Sequence, residues 1–134
     1  MTQPAHRFPI RVYYEDTDLG QIVYYANYLK FIERGRSEWL RAAGVDQVRL
    51  MEDRRLAFVV RRVEADYLRP ARFDDQVEVV SRLHTAAGSR LVLDQAVERD
   101  GATLFRARVT VVCIDLDSMR PNRLPAGIAE ALGR

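Results

Sequence analysis

The residue types that most often carry protein chemistry are scarce in this chain of 134 residues. Cys113 is the only cysteine, which excludes an internal disulfide and any CxxC metal site. It sits in the apolar run 109–114 and is expected as a buried core thiol. There are two histidines: His6 in the N-terminal stretch and His84 near a strand end, both expected on the surface. No His, Asp and Glu cluster has metal-ligand spacing, so no metal is expected. GxGxxG and P-loop patterns are absent, and no cofactor is expected. Lysine is reduced to Lys30, and the net charge is only +2. Without a dense basic block, nucleic acid is not an expected partner. No apolar run approaches the roughly 20 residues that span a bilayer. The opening MTQPAHRF lacks the apolar stretch of a signal peptide, so a cytoplasmic location is expected. There are no repeats, no low-complexity segment and no linker, which predicts one domain over 1–134.

What remains is strongly patterned. FPIRVYYE at 8–15 is rich in aromatic and β-branched residues and predicts a first strand. Apolar residues then recur at helical spacing from Tyr28 to Ala43, predicting a long helix over about 27–43. Asn27 is placed as its N-cap and Gly44 as its stop. Gly35 lies on the apolar side, and a glycine inside a helix points to close packing against another backbone. A weaker helical pattern covers 46–53. Alternation of apolar and polar residues predicts strands at 58–68, 76–84, 90–99 and 103–115, with Asp100-Gly101 as a hairpin turn. Residues 128–132 allow a terminal helical turn. One helix is available to cover the dry face of an antiparallel sheet, which is an α+β arrangement.

The segment between the first strand and the helix is chemically unusual. Glu15, Asp16 and Asp18 crowd the strand end, directly ahead of a helix start. Like charges this close raise one another's pKa unless something compensates, and the free N–H groups of a helix N-terminus do so. A carboxylate can be a nucleophile or a general base. Helix N-terminal N–H groups can stabilise an oxyanion. From the residues alone two readings stand: a minimal acyl-transfer site, or an acidic turn that caps the helix. Glu33, on the long helix, reads either as part of a neighbouring subunit's site or as a helix-surface ion pair.

The run R-V-Y-Y-E-D-T-D at 11–18, Gly20, Val23-Tyr24, A-N-Y-L-K-F at 26–31 and E-R-G-R-S-E at 33–38 resembles the 4-hydroxybenzoyl-CoA thioesterase family. Together with C-I-D-L-D-S-M-R-P-N-R-L-P at 113–125, it looks most like the branch associated with the Tol-Pal envelope system. The likeness implies a hotdog fold, an antiparallel sheet of about five strands wrapped around one long helix. It implies hydrolysis of a short-chain or aromatic acyl-CoA, with an acyl carrier protein as another donor. A non-catalytic acyl-CoA-binding module on the same scaffold is the alternative.

By position, the resemblance makes Asp18 the catalytic carboxylate and the backbone N–H of Tyr25 the group that polarises the thioester carbonyl. Tyr24, Asn27 and Arg90 are placed at the substrate, and Asp16 and Glu15 as supporting charges. The sequence departs from the branch at Gln21, where glycine is usual, and at Tyr25, where histidine is usual. If Gln21 takes a positive φ, it does so under strain. The resemblance further implies a homodimer or homotetramer with active sites between subunits.

Overall fold

The computed structural model describes residues 4–133. The elements in chain order are β1 (His6–Arg11), α1 (Asn27–Ala42), α2 (Gln47–Arg54), β2 (Leu56–Tyr67), β3 (Gln76–Ala87), β4 (Arg90–Arg99), β5 (Ala102–Asp115), β6 (Arg120–Pro121) and α3 (Ile128–Leu132). The sheet is antiparallel in the order β1-β3-β4-β5-β2, with the two-residue β6 added to β5. This is the α+β hotdog architecture expected.

α1 is buried along Tyr28, Phe31, Ile32, Gly35, Trp39 and Leu40. All of these but Gly35 share one core cluster with Val77, Val79, Leu91, Leu93, Val97, Phe105 and Val109 of the sheet. Cys113 is fully buried, and burial pushes its thiol pKa up. The first strand is shorter than expected. Its ladder to β3 ends at Arg11, and residues 14–16 wind into a 3-10 turn. The cause is local: the Asp16 carboxylate accepts the Tyr13 N–H at 2.8 Å, and this side-chain bond competes with strand geometry. The 46–53 pattern forms α2, with Asp46 capping the Arg49 N–H at 3.1 Å.

At Gly35, α1 packs tightly against Val79 of the sheet. A Cβ built there would stand 2.7 Å from the Cβ of Val79. Helix and sheet would have to separate to admit a methyl group. Overpacking costs about 1–3 kcal/mol, more where backbone must move. The gain in helix propensity returns only about 1 kcal/mol. Gly35→Ala is therefore expected to lower stability by roughly 1–2 kcal/mol in a urea melt; an unchanged or higher midpoint contradicts the packing.

The two edges of the sheet differ. β1 is 6 residues long and carries Arg7, Pro9 and Arg11, which blunt an edge. β2 is 12 residues long and exposes Val59, Val60, Val63 and Tyr67. An open groove lined by Leu29, Ile32, Glu33, Arg36, Val60 and Val63 separates β2 from α1.

Candidate active site

The chain leaving β1 is tied to the loop before β3: the Val12 N–H donates to the Asp75 carbonyl, and the Asp74 N–H to the Val12 carbonyl, both at 2.9 Å. Asp16 then organises the next ten residues. Its carboxyl group is buried on the Tyr13 N–H, and its carbonyl accepts the Tyr24 N–H at 2.9 Å and the Asn27 side-chain amide at 3.0 Å. Asn27 is thus not the N-cap that its position suggested. It is the first residue of α1, preceded by Ala26 with no side-chain cap, and its amide donates backwards to Asp16 instead of accepting a helix N–H. It fastens the helix start to the acidic turn.

Between these fastenings lies a tight loop. Thr17 and Val23 form an antiparallel bridge, the Asp18 N–H donates to the Ile22 carbonyl at 3.1 Å, and the Gln21 N–H to the Asp18 carbonyl at 2.9 Å. The Val23 N–H anchors the far arm on the Ala71 carbonyl at 2.9 Å. Gln21 has φ 62°, so the condition raised for it holds: a non-glycine residue sits in the left-handed region.

The Asp18 side chain is exposed at the tip. Its Oδ1 accepts the Gly20 N–H at 2.8 Å, and a Cβ on Gly20 would stand only 3.2 Å from that oxygen. Oδ2 has no protein partner among the described residues. One oxygen is therefore held and the other is free.

Across the bridge, Tyr24 and Tyr25 lead into α1. The Tyr24 N–H is taken by Asp16, and the Asn27 N–H by the Tyr24 carbonyl. Among the described residues the Tyr25 N–H has no acceptor. It stands immediately before the first turn of a 16-residue helix, where the helix dipole favours negative charge. A free carboxylate oxygen and a free N–H are thus mounted on the two arms of one short loop. That is a base or nucleophile and an anion-stabilising donor carried by one loop.

Aromatic rings surround this loop. Tyr25 lies 5.0 Å from Tyr24 and 5.9 Å from Tyr67, which packs in turn on Tyr28 and Phe105. Tyr28 is buried, its hydroxyl accepts the Ala71 N–H at 2.9 Å, and burial raises its pKa. Tyr67 escaped the sequence reading because it lies on β2, far along the chain, and only folding brings its ring to Tyr25.

Arg90 is not brought to Asp18 within the chain. It opens β4 after the hairpin at the far end of β3, roughly 35 Å of extended strand away. Its neighbours Leu91 and Leu93 are buried toward α1, so alternation points Arg90 to the outer face. Glu33 makes no ion pair among the described residues; its carboxylate accepts the Ser37 hydroxyl at 3.1 Å. His84 sits near Asp94 and Arg108, away from the loop.

Residues 12–132 match the Thioesterase-like superfamily. The chain is 41% identical over 131 residues to the acyl-CoA thioesterase YbgC of Haemophilus influenzae, covering 98% of this chain and 96% of that one. It is 43% identical over 129 residues to the acyl-CoA thioester hydrolase YbgC of Escherichia coli O6:H1, covering 96% of each. Among solved structures, a probable thioesterase from Bartonella henselae superposes with TM-score 0.86 at 38% identity, covering 91% of this chain and all of that one.

Proposed function

This chain belongs to the thioesterase-like superfamily and is a thioester hydrolase, and from that premise we propose that it cleaves short-chain or aromatic acyl-CoA with Asp18 as the catalytic carboxylate. The observation that carries the reading is the pairing of the free Asp18 Oδ2 with the unoccupied Tyr25 N–H across one loop. The thioester carbonyl oxygen lies on the Tyr25 N–H. Asp18 either takes a proton from water as the water oxygen attacks the carbonyl carbon, or attacks that carbon itself to give a mixed anhydride that water then opens. In both routes the N–H stabilises the oxyanion, the C–S bond breaks, and the thiolate leaves to be protonated. The shelf formed by Tyr24, Tyr25 and Tyr67 suits a flat or short acyl group. Tyr25 in place of histidine leaves the backbone N–H intact and bears on acyl choice, toward the hydroxybenzoyl-CoA enzymes rather than the Tol-Pal-associated branch. The whole chain is read as one such domain, working in the cytoplasm on CoA or an acyl carrier protein.

Arg90 is proposed to hold phosphate at the nucleotide end of CoA, because a guanidinium suits bidentate phosphate contacts. Within one chain it is remote from Asp18, so this role requires a second subunit. Thiol release from a panel of aliphatic and aromatic acyl-CoAs tests both ideas. The best kcat/KM is expected for short or aromatic acyl groups; a preference for long chains contradicts the shelf. Arg90→Ala is expected to raise KM several-fold while kcat stays within about twofold, since phosphate contacts are equal in ground and transition states. An unchanged KM removes Arg90 from the site.

A further inference from the structure

Three polar or charged side chains are buried among the described residues: Asp16, Ser81 and Gln95. Asp16 belongs to the loop above. Ser81 and Gln95 do not: they are register partners on β3 and β4, beneath the middle of α1. Gln95 is 2% exposed, yet both of its amide N–H groups are used. Nε2 donates to the Ile32 carbonyl at 2.9 Å and to the Ser81 hydroxyl at 3.0 Å, and Oε1 accepts from Arg36 Nη1 at 3.0 Å. One amide thus ties two turns of α1 to two strands.

The rest of the buried α1 face is mostly apolar. Apolar side chains would fill this spot too, and such replacement of a buried polar group is often neutral for stability. What apolar packing does not supply is direction. Gly35 against Val79 sets how near α1 lies to the sheet. The bond to Ile32 resists sliding along the helix axis and rotation about it. Ile32 lies in the second turn of α1, and Tyr25 in the turn that leads into it, joined to the helix by the Tyr28 N–H, which donates to the Tyr25 carbonyl at 3.4 Å. A shift of α1 at Ile32 therefore moves the helix start and, through the bonds of Asn27 and Tyr28 to the Tyr24 and Tyr25 carbonyls, the turn that carries the Tyr25 N–H.

We propose that Gln95 is a positioning residue for thioester hydrolysis: by fixing the Ile32 carbonyl it fixes where the Tyr25 N–H meets the substrate carbonyl oxygen. The inference rests on the role of Tyr25 given above. Small misplacements of a donor fall hardest on the transition state, because the oxyanion demands geometry that the ground state tolerates missing.

The test removes the whole network so that no buried group is orphaned. Arg36→Met/Ser81→Ala/Gln95→Leu is compared with the intact enzyme for kcat, KM and thermal melting. The expected result is a kcat lowered tenfold or more, KM within twofold and melting within a few degrees. Should the triple variant fail to fold, Gln95→Asn carries the test at a temperature where its melt shows it folded. It keeps the amide but is one methylene too short for Ile32, and the same split is expected. A folded variant with unchanged kcat overturns the proposal, as does a kcat loss no larger than the fraction unfolded. Asp18→Asn is assayed alongside. If it is inactive while the network variants keep full kcat, only the positioning role fails; if it is active, the reading of the site fails.

Discussion

Asp18→Asn is expected to lower kcat by about 100-fold or more, the low end of what a general base contributes, while leaving the melt unchanged. The two halves of that expectation have separate causes. The side chain is exposed, and its one hydrogen bond among the described residues is from the Gly20 N–H to Oδ1, which an amide oxygen also accepts. The loop therefore keeps its shape. The free Oδ2 is what changes: an amide nitrogen is neither a nucleophile nor a useful base. Substrate binding, followed by calorimetry with the inactive variant, is expected to persist. Asp16→Asn is the control. Its carboxyl group is buried on the Tyr13 N–H and its backbone carbonyl holds Tyr24 and Asn27, so its work is structural. Its loss is expected to be milder in kcat. If Asp18→Asn stays active and Asp16→Asn is dead, the assignment is displaced by two residues. If both stay active, the acidic turn only caps the helix.

The sequence made the main elements legible because their signals are local. Helical spacing from Tyr28 to Leu40 and alternation through 76–99 survive folding, since one layer of helix against one face of sheet buries the periodic residues. The positive φ of Gln21 was raised only through the family resemblance, in which glycine is usual at that position, and not by any local pattern. Asn27 was misread because its residue type suits a cap, and only the fold shows that the Asp16 carbonyl reaches its amide first. Tyr67 and Gln95 left no signal at all. A tyrosine and a glutamine in alternating strands look ordinary, and their partners, Tyr25 and Ile32, lie on another element. The end of β1 failed at the same seam, where a side-chain bond from Asp16 overrode strand propensity.

Val60→Asp/Val63→Asp is expected to give a monomer with little thioesterase activity, because β2 is proposed as the seam of a homodimer. Of the two sheet edges, β2 is the long one with exposed valines, and such an edge is ordinarily paired or covered. A second copy can pair with it about a two-fold axis, which makes the two β2 strands antiparallel. The start of one β2 then lies beside the end of the other. Arg90 belongs to the start side, since it pairs with Val112, which pairs with Val59. Tyr25 belongs to the end side, through Tyr67. Pairing therefore brings Arg90 of the partner subunit to about three strand spacings, roughly 14 Å, from the Tyr67 end. This is the arrangement in which Arg90 can serve CoA. Val60 and Val63 both face the groove beside α1, and carboxylates there meet their copies in a drying interface. An unpaired buried charge costs several kcal/mol, enough to weaken association about a thousand-fold or more. Light scattering reads the monomer directly. Specific activity measured across protein concentration separates lost assembly from damage to the groove: it is expected to rise as dimers re-form. Activity that stays low while light scattering shows dimers re-forming at high concentration places the damage in the groove. A wild-type protein that is itself a stable monomer at micromolar concentration removes the two-subunit site altogether.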